Sequence, residues 1–518
     1  MKFKQLKPED IKLIKDTHSD NTLPWDERLR TLCDKFGVTQ RSIRRWTSKL
    51  ELTKPTAKDP KQLKDAKKKK FNKKSQFFII TWAQNDTPVH DLFFDNITAY
   101  ANHLEAEIHV MAGRYKNPTS VFSDKNHDSW ANRLTPYLDA SRHNVHKYMS
   151  IMSDVKIQPT AVNPLSGMAA MSKENSCIYG HPKVQMETLP VLNGMHPKMM
   201  FTTGSCTVAN YTDSKAGKKG EFYHELGFVV VEIKDKKRFF VRQVVADKKT
   251  GAFTDLHSYV SAGSIQKNEA VDALIMGDLH IGDHDQQVID ATDSIIADLK
   301  PKYIIAHDIQ DGKSVNPHEQ EDPFLRYKRE ISNDNDLEKE IEAMLDFLAK
   351  YEDQNVVIVR SNHDDFIDRY LKKQDWKKDI KNSLSYMKYA QLLLEDKAPK
   401  GVVPYLIEQR FPHFKTLGLN DSFRVNGWEL SQHGHIGSNG SRGGIQQFRK
   451  LNTKMITGHT HSAQRKDGVV TVGTSTKLRV GYNNGASGWI HAHGLLHPDG
   501  KVQHIFFFDG EYTMLSAN

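Results

Sequence analysis

Five short apolar runs in the second half of the chain each stop at a residue that can bind a metal. Val271 to Met276 leads through Gly277 to Asp278 and His280, and Lys302 to Ala306 leads to His307 and Asp308. Val356 to Arg360 leads to Ser361, Asn362, His363 and Asp364; Trp428 to Gln432 to His433 and His435; Lys454 to Thr457 to Gly458, His459 and His461. Runs of this length, bounded by turn residues, read as buried strands, and open α/β sheets carry their chemistry at the carboxyl ends of strands. Carboxylate, imidazole and amide donors at five strand ends can converge on one cavity, where oxygen and nitrogen ligands suit manganese, zinc or iron. A lone Asp-x-His is as often an ordinary loop; five recurrences are too many for chance.

Taken in order, Asp278-x-His280, Asp308, Asn362-His363-Asp364, His433 and Gly458-His459-x-His461 resemble the motifs of the calcineurin-like metallophosphoesterases, over roughly residues 271–510. The form Asp278-Leu279-His280-Ile281-Gly282 is most similar to the SbcD-type DNA exonuclease branch. His307 and Ser361 stand where that family has Gly, and neither replaces a ligand. The resemblance implies an α/β fold of the α+β type, a two-sheet metallophosphoesterase sandwich with flanking helices. It implies two divalent ions, manganese first, with magnesium, iron(II) and zinc as alternatives. Asp278, His280, Asp308 and His461 would surround one ion; Asp308, Asn362, His433 and His459 the other, with Asp308 bridging. His363 takes the general-acid position, and Asp364 is expected to orient it. His435 competes with His433, while His284, His307 and His318 have no assigned role. His491, His493, His497 and His504 fall on or beside the closing strands, where surface or supporting roles are expected.

The chain carries a formal +9, and residues 1–74 hold 22 Lys and Arg against 10 Asp and Glu, a net of +12 that leaves −3 for the remainder. The basic character is therefore an N-terminal property, and it favours a polyanionic partner. Helical spacing predicts helices near Pro8 to His18 and Trp25 to Phe36, a turn at Gly37 and a third helix from about Thr39. With Ile43, Trp46 and Leu50 facing inward, Gln40, Arg41, Arg44 and Arg45 are expected to face outward, a set suited to phosphates and purine edges of duplex DNA. A basic helical hairpin that contacts protein is the alternative. Residues 53–74, closed by Lys67 to Lys70, read as a basic flexible linker.

The expected organisation is a helix-turn-helix DNA-binding domain over 1–52, the linker over 53–74, a middle α/β domain over 75–265 and the metallophosphoesterase domain over 266–518. In the middle domain a strand at Gln76 to Trp82, a helix at Val89 to Glu105 and a strand at Ile108 to Ala112 make a βαβ-like start. A Gly-rich turn is expected at Ala216 to Gly220, and strands at Leu226 to Ile233 and Phe239 to Val245. His181, His196 and His224 lack paired spacing and read as structural. The size of this region suits substrate positioning or homo-oligomerisation. In the last domain, Pro317 to Ser332 is expected to be a long loop near Asp308.

Three cysteines without CxxC spacing argue against a disulfide framework or a cysteine zinc site. No stretch is long and apolar enough to span a bilayer, and the expectation is a cytoplasmic protein without a membrane partner. The functional expectation is a metal-dependent DNA nuclease tethered to duplex DNA. That combination is similar to early genome-degrading proteins of large tailed phages, which would place it in the cytoplasm of a bacterial host. Many repair nucleases also work with an ATPase partner. A phosphatase or small phosphodiesterase with a basic partner-binding N-terminus is the alternative.

Overall fold

A computed structural model describes residues 3–19, 25–50, 52, 61–114, 129–268, 270–319, 322–481 and 483–515. Among the described residues it shows a mixed α/β protein with four sheets and thirteen α-helices. Residues 77–245 supply β1 (Phe77–Gln84), β2 (Glu107–Gly113), β3 (Leu138–Asp139), β4 (Arg142–His146), β5 (Met149–Met152), β6 (Ser176–Tyr179), β7 (Met186–Leu189), β8 (Lys198–Thr202), β9 (Gly227–Ile233) and β10 (Phe239–Val245). β11 (Phe253–Asp255), β12 (Ser258–Ser261) and β13 (Ser264–Lys267) form a small antiparallel sheet. The rest of the chain supplies β14 (Ala273–Ile275), β15 (Tyr303–His307), β16 (Val356–Val359), β17 (Lys415–Leu417), β18 (Arg424–Val425), β19 (Trp428–Glu429), β20 (Met455–Thr457), β21 (Gln464–Lys466), β22 (Val469–Thr471), β23 (Ala492–Leu496) and β24 (Val502–Phe506).

One sheet runs β10-β9-β1-β2-β3 and another β17-β16-β15-β14-β23-β24. A ten-stranded sheet, β18-β19-β20-β22-β21-β7-β8-β6-β5-β4, packs against both. Its strands come from both sides of the boundary expected at 265/266. At the seam β21 and β7 pair antiparallel, Arg465 opposite Met186. On one side of the seam Ala273, Ile275, Ile305 and Val357 meet Ile456, Val470 and Val472. On the other, Phe78, Ile80 and Trp82 meet Ile151, Ile178 and Phe201. Each aliphatic side chain so enclosed contributes about 1.5–3 kcal/mol.

Helices cover the outer faces. Among them α4 (Lys61–Ala66), α5 (Asp91–Leu104) and α6 (Lys215–Tyr223) follow the N-terminal helices α1 (Pro8–Ser19), α2 (Trp25–Phe36) and α3 (Gln40–Lys49). Then come α7 (Gln286–Leu299), α8 (Pro323–Ser332), α9 (Leu337–Ala349), α10 (Phe366–Lys373), α11 (Ser383–Leu394), α12 (Val402–Arg410) and α13 (Ile445–Phe448). None of the described helices is long and apolar enough to cross a membrane.

Helices α1 to α3 follow the expected spacing, with Ile14, Leu29, Leu32, Ile43 and Trp46 in a shared core. Thr39 caps α3 by accepting from Ser42 N, as an N-cap hydroxyl should. Arg41 and Arg45 are exposed, but Arg44 is not part of an outward face. It is half-buried, with Nε enclosed and without a partner, and burial lowers its pKa while Asp86 partly offsets the loss.

Three local expectations are corrected. Within the expected linker, residues 53–60 lie outside the described residues, but α4 packs Leu63 and Ala66 into the core. Lys69 there bonds the carbonyls of Ile108 and Tyr137 rather than solvent. The expected turn at Ala216 to Gly220 is instead part of α6, which Ser214 starts by accepting from Gly217 N at 3.1 Å; the glycine there serves close packing, since a Cβ would overlap the carbonyl oxygen of Thr212. The expected loop after Pro317 contains α8, capped by Asp322 and started by Pro323.

Candidate metal centre

The carboxyl ends of β14 and β15 lie side by side because the two strands pair in parallel. The pairing continues past the strands, with His280 N donating to the Asp308 carbonyl oxygen at 2.8 Å. This brings Asp278, His280 and Asp308 into one cavity. The loop after β20 closes over them, where His459 N donates to Asp278 Oδ2 at 2.7 Å. A Cβ on Gly458 would overlap Asp278 Oδ1, which explains the glycine there. Four residues of the cluster hold left-handed backbone: His280 (φ 42°), Asp308 (42°), His459 (71°) and His461 (53°). Such conformations cost about 1–3 kcal/mol each and persist where the surroundings impose them, commonly at functional sites.

Two donor groups share Asp308. Asp278, His280, Asp308 and His461 form one, and Asp308, His433 and His459 the other. His461 Nε2 lies 3.0 Å from Asp278 Oδ2 and 3.1 Å from His280 Nε2, and His280 Nε2 lies 3.5 Å from Asp308 Oδ2. His433 Nε2 lies 3.2 Å from Asp308 Oδ2 and 3.1 Å from Asn362 Oδ1. All seven residues expected as ligands are thus brought together. His435 is set back, its ring centroid 6.0 Å from that of His459, and His433 occupies the position beside Asp308.

The donor set fits divalent cations. Asp278, His280, Asp308 and His433 are almost wholly buried, and Asp278 Oδ1, His433 Nδ1 and His461 Nδ1 are enclosed without a hydrogen-bond partner. Buried carboxylate oxygens such as Asp278 Oδ1 are costly unless something positive satisfies them. The side chains already respond to this crowding. Burial alone would lower the pKa of His280, but Asp308 and then Asp311 overcome it and raise it to about 9. Burial would raise that of Asp308, yet His433, His363 and His280 hold it well below the usual carboxylate range.

Asp311, which no strand end marks in the sequence, also lies at the cluster. Its Oδ1 lies 3.3 Å from His280 Nδ1, and its carbonyl oxygen lies 2.8 Å from His363 Nδ1. With His280 and His363 it forms a third cluster of donors. Asp364 does not orient His363 as expected. It accepts from Ser361 Oγ at 2.7 Å and from Gln310 N at 3.3 Å, bracing the loops after β15 and β16. Burial, then Asp308, pushes its pKa up to about 7.

The other histidines have structural partners or none. His493 Nδ1 accepts from Gly277 N at 2.9 Å and its Nε2 meets Thr292 Oγ1 at 2.8 Å, so it supports the strand end that carries Asp278. His491 and His504 bond the carbonyl oxygens of Thr476 and Thr471. His497, His493 and His504 are buried rather than at the surface. His181 and His224 bond backbone groups. His318 lies against Phe366, and His284 against Phe347. His307 is buried beside His433 with neither ring nitrogen bonded, and burial and His433 push its pKa down to about 4.

Over 471 residues the chain is 31% identical to Protein A1 of Escherichia phage T5, covering 85% of this chain and 83% of that protein. No protein-family model matches the chain. A solved crystal structure at 10% identity, covering 46% of this chain and 98% of its own, has a TM-score of 0.27, at which no common fold is shown.

Proposed function

The chain belongs to the family of Protein A1 of Escherichia phage T5, and from a phage-protein family with a buried two-group Asp/His site we propose a metal-dependent DNA nuclease. The observation that carries this reading is the sharing of Asp308 between two donor groups. A carboxylate has two oxygens to share, so Asp308 would serve both donor groups if each held a cation. Asp278, His280, Asp308 and His461 would hold one ion; Asp308, Asn362, His433 and His459 the other. Bound there, two divalent cations, manganese foremost, supply Lewis acidity toward a phosphate and its attacking water.

The remaining steps belong to the chain's own side chains. Asp311 fixes the ring of His280 through Nδ1, so that Nε2 faces the cluster. His363 spends Nδ1 on the Asp311 carbonyl oxygen, which leaves Nε2 to hold or move a proton at the leaving oxygen. Phe366, with its ring centroid 4.4 Å from that of His363, limits how that ring can turn. Arg41 and Arg45 on α3 are exposed cations for a DNA backbone, which favours a nucleic-acid substrate over a small monoester.

The test is incubation of the purified protein with linear and closed-circular duplex DNA under manganese, magnesium or chelator. Chelator-sensitive degradation is the expected result, and degradation of linear DNA alone would mean an exonuclease. A wide preference for a phosphomonoester over DNA would replace the nuclease by a phosphatase.

A further inference from the structure

The two regions joined at the β21–β7 seam repeat one another. In the first, β1 pairs in parallel with β2 and antiparallel with β9, which pairs antiparallel with β10. In the second, β14 pairs in parallel with β15 and antiparallel with β23, which pairs antiparallel with β24. The first strand is followed in each by a helix of 14 residues, α5 and α7. The series β4-β5-β6-β8-β7 has the same pairings as β18-β19-β20-β22-β21, parallel and antiparallel in the same places.

Isolated bridges repeat too. Trp82 pairs with Ser205 and Ser205 with Leu226; Asp278 pairs with Thr474 and Thr474 with His491. Even a local hydroxyl pair recurs, Ser205 Oγ to Thr207 Oγ1 and Thr474 Oγ1 to Thr476 Oγ1, both at 2.8 Å. The register makes Met186 and Arg465 equivalent, and these two face each other across the seam, so an approximate twofold axis passes between them.

The same registers show what became of the ligand positions. Trp82 stands at the position of Asp278, Gln84 at that of His280 and Met111 at that of Asp308. Gly180-His181-Pro182-Lys183 stands at Gly458-His459-Thr460-His461. A Cβ on Gly180 would meet the Trp82 indole, just as one on Gly458 would meet Asp278. The indole therefore fills the space that carboxylates keep open in the second region. His181, the one imidazole retained among these five, bonds the Gln158 carbonyl oxygen and Lys183 N.

Each region also sends a hairpin across the axis. The turn of β21–β22 carries Asp467 to an ion pair with Lys183, the counterpart of His461. In the other direction, the segment after β7 reaches the loop between β22 and β23. Val191 N donates to Ser487 O at 2.9 Å, Ser487 N to Val191 O at 3.0 Å, and Arg479 Nη2 to Val191 O at 2.9 Å. That loop carries Trp489, whose ring centroid lies 4.0 Å from that of His461.

We infer that residues 77–245 are a silent duplicate of the metal-binding region, its site filled by Trp82, which serves as a built-in second subunit by anchoring Trp489 against His461 through Val191. This rests on the reading of Asp278, His280, Asp308 and His461 as metal ligands. Val191 and Arg479 are then positioning residues, and loosening them frees the loop that holds one ligand ring in place. Outer partners of metal ligands typically govern affinity by about 10–100-fold.

The experiment uses the full-length chain and titrates Mn2+ into wild type, Val191→Pro, Arg479→Ala and the double variant Asp278→Asn/Asp308→Asn, with thermal unfolding of each apo protein alongside. The expected result is two ions per wild-type chain, none in the double variant, and about tenfold weaker binding in Val191→Pro and Arg479→Ala. Arg479 is half-buried and donates to the carbonyl oxygens of Gly485 and Val191, so apo Arg479→Ala should still unfold cooperatively, which shows that it is folded when its metal affinity is read. A divalent ion retained by the double variant and released on adding His181→Ala would show that the first region is a live site and overturn its silence. Wild-type affinity in folded Val191→Pro and Arg479→Ala would overturn the anchoring role. A wild-type chain that binds no ion would defeat the metal-centre reading itself, and with it this one.

Discussion

His363 Nδ1 lies 2.8 Å from the backbone carbonyl oxygen of Asp311. A carbonyl can only accept, so the ring carries its proton on Nδ1 and presents Nε2 as its working atom. Burial, then the neighbouring His280, pushes the pKa of His363 down to about 4. The ring is therefore neutral until an anionic phosphate arrives to favour its charged form. His363→Asn should retain metal and lose on the order of a hundredfold or more on DNA. A nitrophenyl phosphodiester, whose leaving group departs unaided, should lose much less. Equal losses on both substrates would mean that His363 does not handle the leaving group's proton.

Asp308 is shared by both donor groups, whereas His318 lies against Phe366. Asp308→Ala should abolish hydrolysis and most bound metal, and His318→Ala should do neither. Asp311→Ala should weaken metal binding about 10–100-fold by releasing His280. Elemental analysis after dialysis reads both effects, and full metal content in Asp308→Ala would remove the bridging role.

Arg41 and Arg45 are exposed on α3, and Arg44 is half-buried. Arg41→Ala/Arg45→Ala should weaken duplex binding and reduce the salt slope by about 2, with hydrolysis of a small diester intact. Arg44→Ala should leave the salt slope nearly unchanged. Fluorescence anisotropy across a salt series separates these outcomes, and an unaltered slope in the double variant would assign the face to protein contacts.

Burial pushes the pKa of His181 down to about 3, and those of His224 and His504 to about 4, although each bonds a backbone carbonyl oxygen. The unfolded chain takes up these protons near pH 6.5 and the folded chain does not. Stability from these residues is full above about pH 6.5 and falls as pH drops through the window toward 4, each contributing up to about 3 kcal/mol. Urea unfolding between pH 7.5 and about 4.5 should show this decline, and a flat profile would mean that these rings are solvated.

The clustered Asp, Asn and His residues were legible in the sequence because each comes soon after an apolar strand. Asp311 was not, since it lies in the loop three residues beyond Asp308 with no strand end to mark it. Asp364 was misread through adjacency: it follows His363 in the chain, but its carboxylate turns back to Ser361 and Gln310. Arg44 shares the helical phase expected of a solvent face, and only its partial burial in the folded chain shows otherwise. The duplication was hidden because Trp82, Gln84 and Met111 carry none of the chemistry of Asp278, His280 and Asp308. Only strand pairing and the faint echo of Gly180-His181 in Gly458-His459 survive to show it.

The seam between β7 and β21 joins two parts of a single polypeptide. A dimer of separate chains comes apart on dilution, because its association depends on protomer concentration. Here the effective concentration of one half near the other is fixed by the chain between them, so this seam has no dissociation constant to fall below. The first molecule translated is as complete, across this seam, as any made later. Activity per molecule should accordingly hold constant on dilution as far as this seam is concerned, whatever further assembly the chain enters.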